Sequence, residues 1–247
     1  MCGLPRSGST WLGAILSQNP DCYVTAESPF VELLWRNYSF WEDKGWFTDF
    51  PDDDRDSNRV TYLKEITKLY YNQLTDCNLL IDNRRQWQSI TNIRMYMDIF
   101  GELPKIICPV RNMEEIVASF SNLFKRNNRE FSPESNLIGN VLSDPYCSLR
   151  STYNSIYSGC LHIIDYDDLV ANTDLEVKKI YKFLNVQPYK SNYETVKENP
   201  LYKGIDARYD LIGMHNIKSG VHKSKTNPEE VLPKEQLNKF KGLTFWK

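Results

Sequence analysis

Four short apolar runs constrain the fold of this chain most strongly, because a polar turn and then a helical pattern follow each of them. The runs are MCGL (1–4), NLLID (78–82), KIICPV (105–110) and LHIID (161–165), with a weaker fifth at 22–26. None alternates polar with apolar residues, which is typical of strands covered on both faces of a parallel sheet. The pattern predicts a three-layer α/β fold, with a central, mostly parallel sheet of about four or five strands flanked by helices.

Apolar residues recur at helical spacing after two of these runs. One stripe consists of Trp11, Leu12, Ile15 and Leu16, and the other of Ile116, Val117, Phe120, Leu123 and Phe124. The segment LEVKKIYKFL (175–184) predicts a further amphipathic helix. By contrast, the polar segments 41–58 and 127–142 are interpreted as surface excursions. Strong periodicity is lost beyond Asn199, and KGIDARYDLIGMHNIKSGVHKSKTNPEE (203–230) is interpreted as a long loop.

The length and composition indicate an ordinary globular protein. A chain of 247 residues with 41% hydrophobic and 25% charged residues is within the range of a single α/β domain, so we predict one domain over 1–247. The net charge of −2 argues against a protein that binds the nucleic-acid backbone. No apolar run is long enough to span a membrane, and the six cysteines form no C-x-x-C pair. We expect a soluble, cytoplasmic protein without a metal site.

The segment GLPRSGST (3–10) is close to the phosphate-binding pattern G-x-x-x-x-G-K-[ST], but Ser9 stands in the lysine position. A loop between a strand and a helix points several N–H groups at one anion. Arg6, three residues before Ser9, can bind phosphate or sulfate oxygens with two hydrogen bonds. The loop therefore predicts a P-loop-like anion site, although an ordinary glycine turn before a core helix is the alternative.

A second set of residues lies in CPVRNMEEIVASF (108–120). Arg111 ends an apolar strand, and Ser119 follows eight residues later, about two turns into the next helix. Ligands of doubly wound folds bind at the carboxyl ends of the strands, so Arg111 and the first loop should lie at the same edge of the sheet.

Taken together, PRSGST (5–10), IICPVRNMEEIVASF (106–120) and IIDYDDLV (163–170) resemble motifs of sulfotransferases that use 3′-phosphoadenosine 5′-phosphosulfate. The resemblance covers most of residues 1 to about 186 and is nearest to the tyrosylprotein, Golgi-type and bacterial branch. It implies a hydroxyl-bearing acceptor: a carbohydrate, a tyrosine or a small metabolite. It also implies donor contacts from Arg6, Ser7, Gly8, Ser9 and Thr10 at the 5′ end, from Arg111 and Ser119 at the 3′-phosphate, and from Tyr166 and Lys218 or Lys223.

In that branch a glutamate about twenty residues beyond the loop arginine is the catalytic base, and Glu27 follows Arg6 by 21 residues. A helix cap is the other interpretation of Glu27. The family also commonly carries a lysine where this chain has Asn83, in IDNRRQW (81–87). Arg84 or Arg85 could supply the missing charge, and we favour Arg85 as a catalytic residue beside Glu27 and Arg6.

Two other functions remain open at this point. Asn83 in the lysine position raises the alternative of a nucleotide-binding protein of the same fold with little or no transfer activity. A P-loop kinase in which Arg6 replaces the lysine is a weaker alternative, because the sequence offers no convincing Walker-B aspartate. His215 in the C-terminal loop is either a base or, more commonly for a lone histidine, a structural hydrogen-bonding residue.

Overall fold

The computed structural model describes residues 1–42, 52–133, 136–197, 205–206, 210–217 and 226–247, with side chains described from 54 and from 140 in the helices that begin at 52 and 136. None of the helices in these ranges is both long and apolar enough to cross a membrane. All six cysteines lie in the described ranges and are free.

The sheet is built from two parallel strand pairs. β1 (Cys22–Val24) pairs with β2 (Leu79–Ile81), and β3 (Ile106–Val110) pairs with β4 (Leu161–Asp165). These four strands coincide with predicted apolar runs.

Residues 1–4 lie between the two pairs. The backbone N–H groups of Cys2 and Leu4 donate to the carbonyls of Ile107 and Pro109 in β3, each at 2.9 Å. On the other side, the backbone N–H of Arg84, just beyond β2, donates to the Met1 carbonyl at 2.9 Å. The order across the sheet is therefore β1, β2, residues 1–4, β3, β4. The predicted first strand makes these ladder-like bonds without forming a regular strand.

Ten helices lie in the described ranges. They are α1 (Ser9–Leu16), α2 (Phe30–Glu42), α3 (Asp52–Asn72), α4 (Ile90–Phe100), α5 (Met113–Arg126), α6 (Asn136–Tyr153), α7 (Tyr166–Ala171), α8 (Thr173–Leu184), α9 (Pro228–Val231) and α10 (Lys234–Phe240). The helix predicted at 175–184 is confirmed as part of α8. The loops expected at 41–58 and 127–142 are wrong in part, because α3 and α6 begin inside them. The long loop expected at 203–230 is also wrong at its end, where α9 begins at Pro228. The acidic run that suggested a loop at 52–54 is favourable in the first turn of a helix.

The core has a layer on each face of the sheet, and β3 contributes side chains to both layers. Ile106, Cys108 and Val110 pack into a cluster formed mainly by α2, α4, α5 and α6. Ile107, which points to the opposite face, packs into a cluster with α1 and α8. Alternate residues of one fully buried strand thus serve both layers, as expected for a parallel sheet with helices on both sides. This confirms the predicted three-layer, P-loop-like α/β fold.

Both predicted helical stripes are also confirmed. Leu12, Ile15 and Leu16 of α1 are fully buried, while Trp11 is only partly covered. All five apolar residues predicted for the face of α5 are buried. The two helices that follow the anion motifs are therefore anchored firmly in the core.

Candidate functional site

A cavity of about 1560 Å³ brings together most of the residues predicted from the two anion motifs. The predicted residues that line it are Arg6, Gly8, Ser9, Thr10, Glu27, Arg85, Arg111, Ser119 and Tyr166. Ser7 lies behind this wall, and Lys218 and Lys223 lie outside the described residues. The first loop and the end of β3 thus meet at one edge of the sheet, as the sequence predicted.

The loop between residues 1–4 and α1 has an unusual backbone. Gly8 has φ 88° and directly precedes α1, where its carbonyl accepts from the Leu12 amide at 2.9 Å. A Cβ atom on Gly8 would lie 3.2 Å from Cδ2 of Tyr166. Glycine is needed here both for the left-handed backbone and for the close approach of the Tyr166 ring.

Ser7 holds the loop against the sheet. Its side chain is fully buried, and its Oγ lies 2.5 Å from the Leu4 carbonyl and 2.9 Å from the Pro109 carbonyl. The hydroxyl group therefore has a structural role. A contact between Ser7 and the donor, as the resemblance implies, would have to come from the backbone N–H.

Arg6 connects the first loop to α5. Its Nε donates to Ser119 Oγ at 3.1 Å, and its Nη1 donates to the Met214 carbonyl. Burial, followed by the neighbouring charges of Arg111 and Arg126, lowers the pKa of Arg6 from its ordinary value of 12.5 to about 10. Two motifs that are 113 residues apart in sequence therefore share one concentration of positive charge.

Arg111 is the most buried charge of the cavity wall, with a side chain only 5% exposed. Its Nε donates to Glu115 Oε2 at 2.8 Å, and its guanidinium lies 4.3 Å from the centre of the Tyr166 ring. Its Nη2 is buried and has no hydrogen-bond partner among the residues that the structure describes. Because buried donors are nearly always satisfied, this nitrogen is a candidate to donate to a ligand that enters the cavity.

Glu27 belongs to an ion-pair cluster at the other side of the cavity. Arg84 Nη1 lies 2.5 Å from Glu27 Oε1, and Arg84 Nε and Nη2 lie 2.8 and 2.5 Å from Glu32 Oε1. The start of α2 is capped by Ser28, whose Oγ accepts from the Phe30 amide at 3.1 Å. Ser28 thus supplies a capping contact at the start of α2, and the carboxylate of Glu27 lines the cavity.

Asn83 supplies no positive charge at the position where the family commonly has a lysine. Its amide donates to Thr25 Oγ1 at 2.7 Å, and its Nδ2 donates to the Ala26 carbonyl at 2.9 Å. Asn83 thus ties the segment that carries Glu27 to the end of β2. Arg84 is matched by two carboxylates, whereas Arg85 is exposed and lines the cavity, so the choice of Arg85 as the substitute cation stays a prediction.

Four contact residues of the site were missed from the sequence. Glu115 follows Arg111 by four residues in a helix, a spacing that could have indicated the ion pair. No local sequence pattern links Glu32 with its partner Arg84, or Asp206 with its partner His215. The fourth, Met214, contributes only its backbone carbonyl, which no sequence pattern reveals.

His215 lines the same cavity and pairs with Asp206, whose Oδ1 lies 2.5 Å from His215 Nδ1. Burial lowers the pKa of His215 below its ordinary value of 6.5, Asp206 opposes this shift, and Arg6 and Arg85 add to it. A folded-state pKa below that of the unfolded chain means that the unfolded chain binds more protons. The contribution of His215 to stability is therefore fully present above pH 6.5 and is lost as the pH falls from that value through the lower pKa of the folded state.

We predict that Asp206→Asn lowers the pKa of His215 further, because the charge that favours the imidazolium is removed. A proton NMR titration of the histidine rings measures this directly. His162 provides an internal control, since burial also lowers its pKa but Asp206 is not among the causes. An unchanged or raised pKa of His215 in the variant would contradict the assigned pairing.

Comparisons with known proteins give the family and the fold of the chain. The model of the sulfotransferase family matches residues 1–190. A sulfotransferase from Alicyclobacillus acidocaldarius is 15% identical over 85% of this chain and 89% of its own, with a TM-score of 0.52, which shows a shared fold. The sulfotransferase domain of the Synechococcus PCC 7002 olefin synthase is 18% identical over 93% and 90%, with a TM-score of 0.49. None of the curated proteins compared with the chain matches it. The family match spans more than half of the sequence, and the chain belongs to the sulfotransferase family.

Proposed function

We propose that this protein transfers a sulfuryl group from 3′-phosphoadenosine 5′-phosphosulfate to a hydroxyl group of an acceptor. The observation that carries the proposal is Arg111 Nη2, a buried donor without a partner in the described structure, in the same cavity wall as Ser119. A nucleotide with phosphates only at its 5′ end would place them at the first loop. It would then have no group left to accept a hydrogen bond from Arg111 Nη2. A 3′-phosphate supplies the missing acceptor.

The first loop suits the 5′-phosphosulfate end of the nucleotide. Ser9 and Thr10 open α1, so their backbone N–H groups and the helix N-terminus point at the cavity. The guanidinium of Arg6 adds a fixed positive charge beside them. A nucleoside triphosphate would need a further cation at its γ-phosphate, and the loop has Ser9 in that position.

In the proposed reaction Glu27 takes the proton of the acceptor hydroxyl as that oxygen attacks sulfur. A bond forms between the acceptor oxygen and sulfur, and the bond between sulfur and the 5′-phosphate oxygen breaks. The electron pair of the broken bond stays on the departing bisphosphate. Arg6, the loop amides and Arg85 stabilise the charge that grows there, in the manner of an oxyanion hole.

Binding of the product, 3′-phosphoadenosine 5′-phosphate, tests the donor assignment without a known acceptor. We expect calorimetry to give tighter binding of this bisphosphate than of ATP with Mg²⁺. Arg111→Ala should weaken bisphosphate binding by about 10- to 150-fold, because a hydrogen bond to a charged group contributes about 1.5–3 kcal/mol.

Arg94→Ala is a matched control for this variant. Arg94 is an exposed arginine of α4 that donates to Tyr157 at 3.1 Å and does not line the cavity. Its substitution should leave bisphosphate affinity within twofold. Tighter binding of ATP with Mg²⁺ than of the bisphosphate would favour the kinase alternative and contradict the proposal.

A second candidate function follows from Asn83. Because this side chain holds the backbone of Ala26 and supplies no charge, the protein could bind the nucleotide yet transfer little or nothing. Tight bisphosphate binding with no turnover on any acceptor, and activity gained by Asn83→Lys, would favour that function over the enzymatic one.

A further inference from the structure

One wall of the cavity is not assigned to the nucleotide. It begins near Glu27, which pairs with Arg84, the residue directly before a short 3₁₀ helix (Arg85–Gln88). That segment and α6 line the cavity with six side chains that take no part in the proposed donor contacts. These residues, called the acceptor wall below, are Gln86, Ser89, Asn140, Val141, Asp144 and Ser148.

We propose that the acceptor wall binds an uncharged, polyhydroxylated molecule, a neutral carbohydrate, and that Asp144 selects it by accepting hydrogen bonds from two of its hydroxyl groups. This acceptor class rests on the proposed function, which left the acceptor open. In the bound state the hydroxyl to be sulfated lies beside Glu27, and the rest of the sugar lies along the wall.

Buried hydrogen bonds hold the two parts of the wall together. Gln88 is only 1% exposed, and its Nε2 donates to the Pro145 carbonyl of α6 at 2.7 Å. The Gln88 carbonyl accepts from Thr152 Oγ1, also in α6, at 2.6 Å. The helix α6 is thus fixed beside the segment that follows Arg84, on the side of the cavity where the proposed base lies.

Pro145 opens a hydrogen-bonding position in this wall. It lies inside α6, and because proline has no N–H, the carbonyl of Val141, four residues earlier, lacks its usual helical donor. Both residues line the cavity. A ligand hydroxyl can donate to this carbonyl, and Asp144, which lies between the two residues, adds a carboxylate with two more acceptor oxygens.

The side chains of the wall argue against a phenol as the acceptor. The aromatic rings that line the cavity belong to α1, α5 and α7, and they are Trp11, Phe120, Phe124 and Tyr166. Among the described residues, neither the 3₁₀ helix nor α6 adds a ring, since Trp87 and Tyr146 are buried and do not line the cavity. A phenol ring on this wall would cover amide and hydroxyl groups without bonding to them, which is unfavourable.

The charge of the wall argues against a strongly charged acceptor. Asp144 is the charged residue among the six, and Arg85 beside them carries one opposite charge. An acidic polysaccharide or an acidic peptide would be matched by a cationic wall instead. The other polar members are amides and hydroxyls, which both donate and accept hydrogen bonds, as the hydroxyl groups of a neutral sugar do.

Saturation-transfer NMR measures acceptor binding without turnover, on protein saturated with 3′-phosphoadenosine 5′-phosphate. The probes are the methyl pyranosides of galactose, glucose and mannose, with methyl glucuronide as an acidic sugar and p-cresol as a phenol. We expect at least one neutral pyranoside to bind more tightly than the glucuronide and p-cresol. Asp144→Ala should weaken its binding at least tenfold, because hydrogen bonds to a charged acceptor are strong, and should leave bisphosphate affinity within twofold.

Glu235→Ala is the matched control for Asp144→Ala. Glu235 is an exposed carboxylate of α10 that does not line the cavity. Its substitution should change pyranoside affinity by less than twofold.

Pro145→Ala gives a second measurement. Alanine restores a helical donor to the Val141 carbonyl and keeps the carbonyl that accepts from Gln88. We expect pyranoside binding to weaken at least threefold, although replacing a proline inside a helix by alanine favours folding. Urea denaturation verifies that the variant is no less stable than the wild type. An unchanged pyranoside affinity in this variant would remove the Val141 carbonyl from the site.

The outcomes separate the two proposals. Three results overturn the inference and leave the proposed function in place: bisphosphate binding without binding of any neutral pyranoside, tighter binding of p-cresol or the glucuronide, and pyranoside affinity within twofold of the wild type in Asp144→Ala. A wild-type protein that does not bind the bisphosphate contradicts the proposed function itself. The pyranoside titrations are then made on the ligand-free protein, where the same comparison decides whether the wall binds a sugar.

Discussion

Glu27→Gln is expected to lower the rate of sulfuryl transfer by about 10²- to 10⁴-fold, the usual contribution of a positioned general base. The amide has nearly the same shape as the carboxylate and can still accept a hydrogen bond from Arg84, but it cannot take the acceptor proton. Initial rates with ³⁵S-labelled donor measure the effect. The acceptors to be tried are a tyrosine peptide, an oligosaccharide and p-nitrophenol, and bisphosphate affinity should stay within twofold.

Glu32→Gln is the matched control for this prediction. Glu32 binds the same arginine as Glu27 does, but it lies on α2 and does not line the cavity. Its substitution should lower the rate by less than tenfold. The base assignment is wrong if Glu27→Gln keeps more than half of the wild-type rate, or if both variants lose the same amount.

Gly3→Ala is expected to destabilise the fold by about 3–5 kcal/mol, at the upper end of single-residue effects. Gly3 has φ 101°, and a Cβ atom there would lie 2.2 Å from the carbonyl oxygen of Pro109 in β3. Residues 1–4 and β3 would have to separate, which breaks the hydrogen bonds that hold the loop at the edge of the cavity. Urea denaturation followed by circular dichroism measures the free energy of unfolding.

Gly101→Ala separates backbone strain from this clash. Gly101 follows α4 with φ 77°, and nothing lies within 4 Å of a Cβ atom built on it. Only the left-handed backbone is penalised there, which costs about 1–2 kcal/mol. Equal losses for the two variants would mean that the packing of Gly3 against β3 is not as described.

The strands could be predicted because their information is local. A fully apolar run such as 106–110 has few options other than a buried strand, and the turn and helix after it favour a parallel neighbour. The start of α3 escaped prediction for the opposite reason. Its acidic run is compatible with a loop as well as with a helix N-terminus, and the sequence of α3 shows no clear apolar face.

The candidate site divides in the same way. The two anion motifs were visible because each is a short pattern of strand, polar turn and helix. The contact of Arg6 with Ser119 spans 113 residues, and that of Arg84 with Glu27 spans 57. Such contacts depend on how helices pack on the sheet, so sequence spacing suggested the members of the site but not their partners.

The most direct test of the central claim is the transfer of label from ³⁵S-labelled 3′-phosphoadenosine 5′-phosphosulfate to a hydroxyl acceptor. Each acceptor of the panel is incubated with the wild-type protein and the labelled donor, and the sulfated product and the released bisphosphate are counted. We predict that label appears in at least one acceptor in equal amount to the bisphosphate. An intact donor with every acceptor tested, from a folded protein, would contradict the claim.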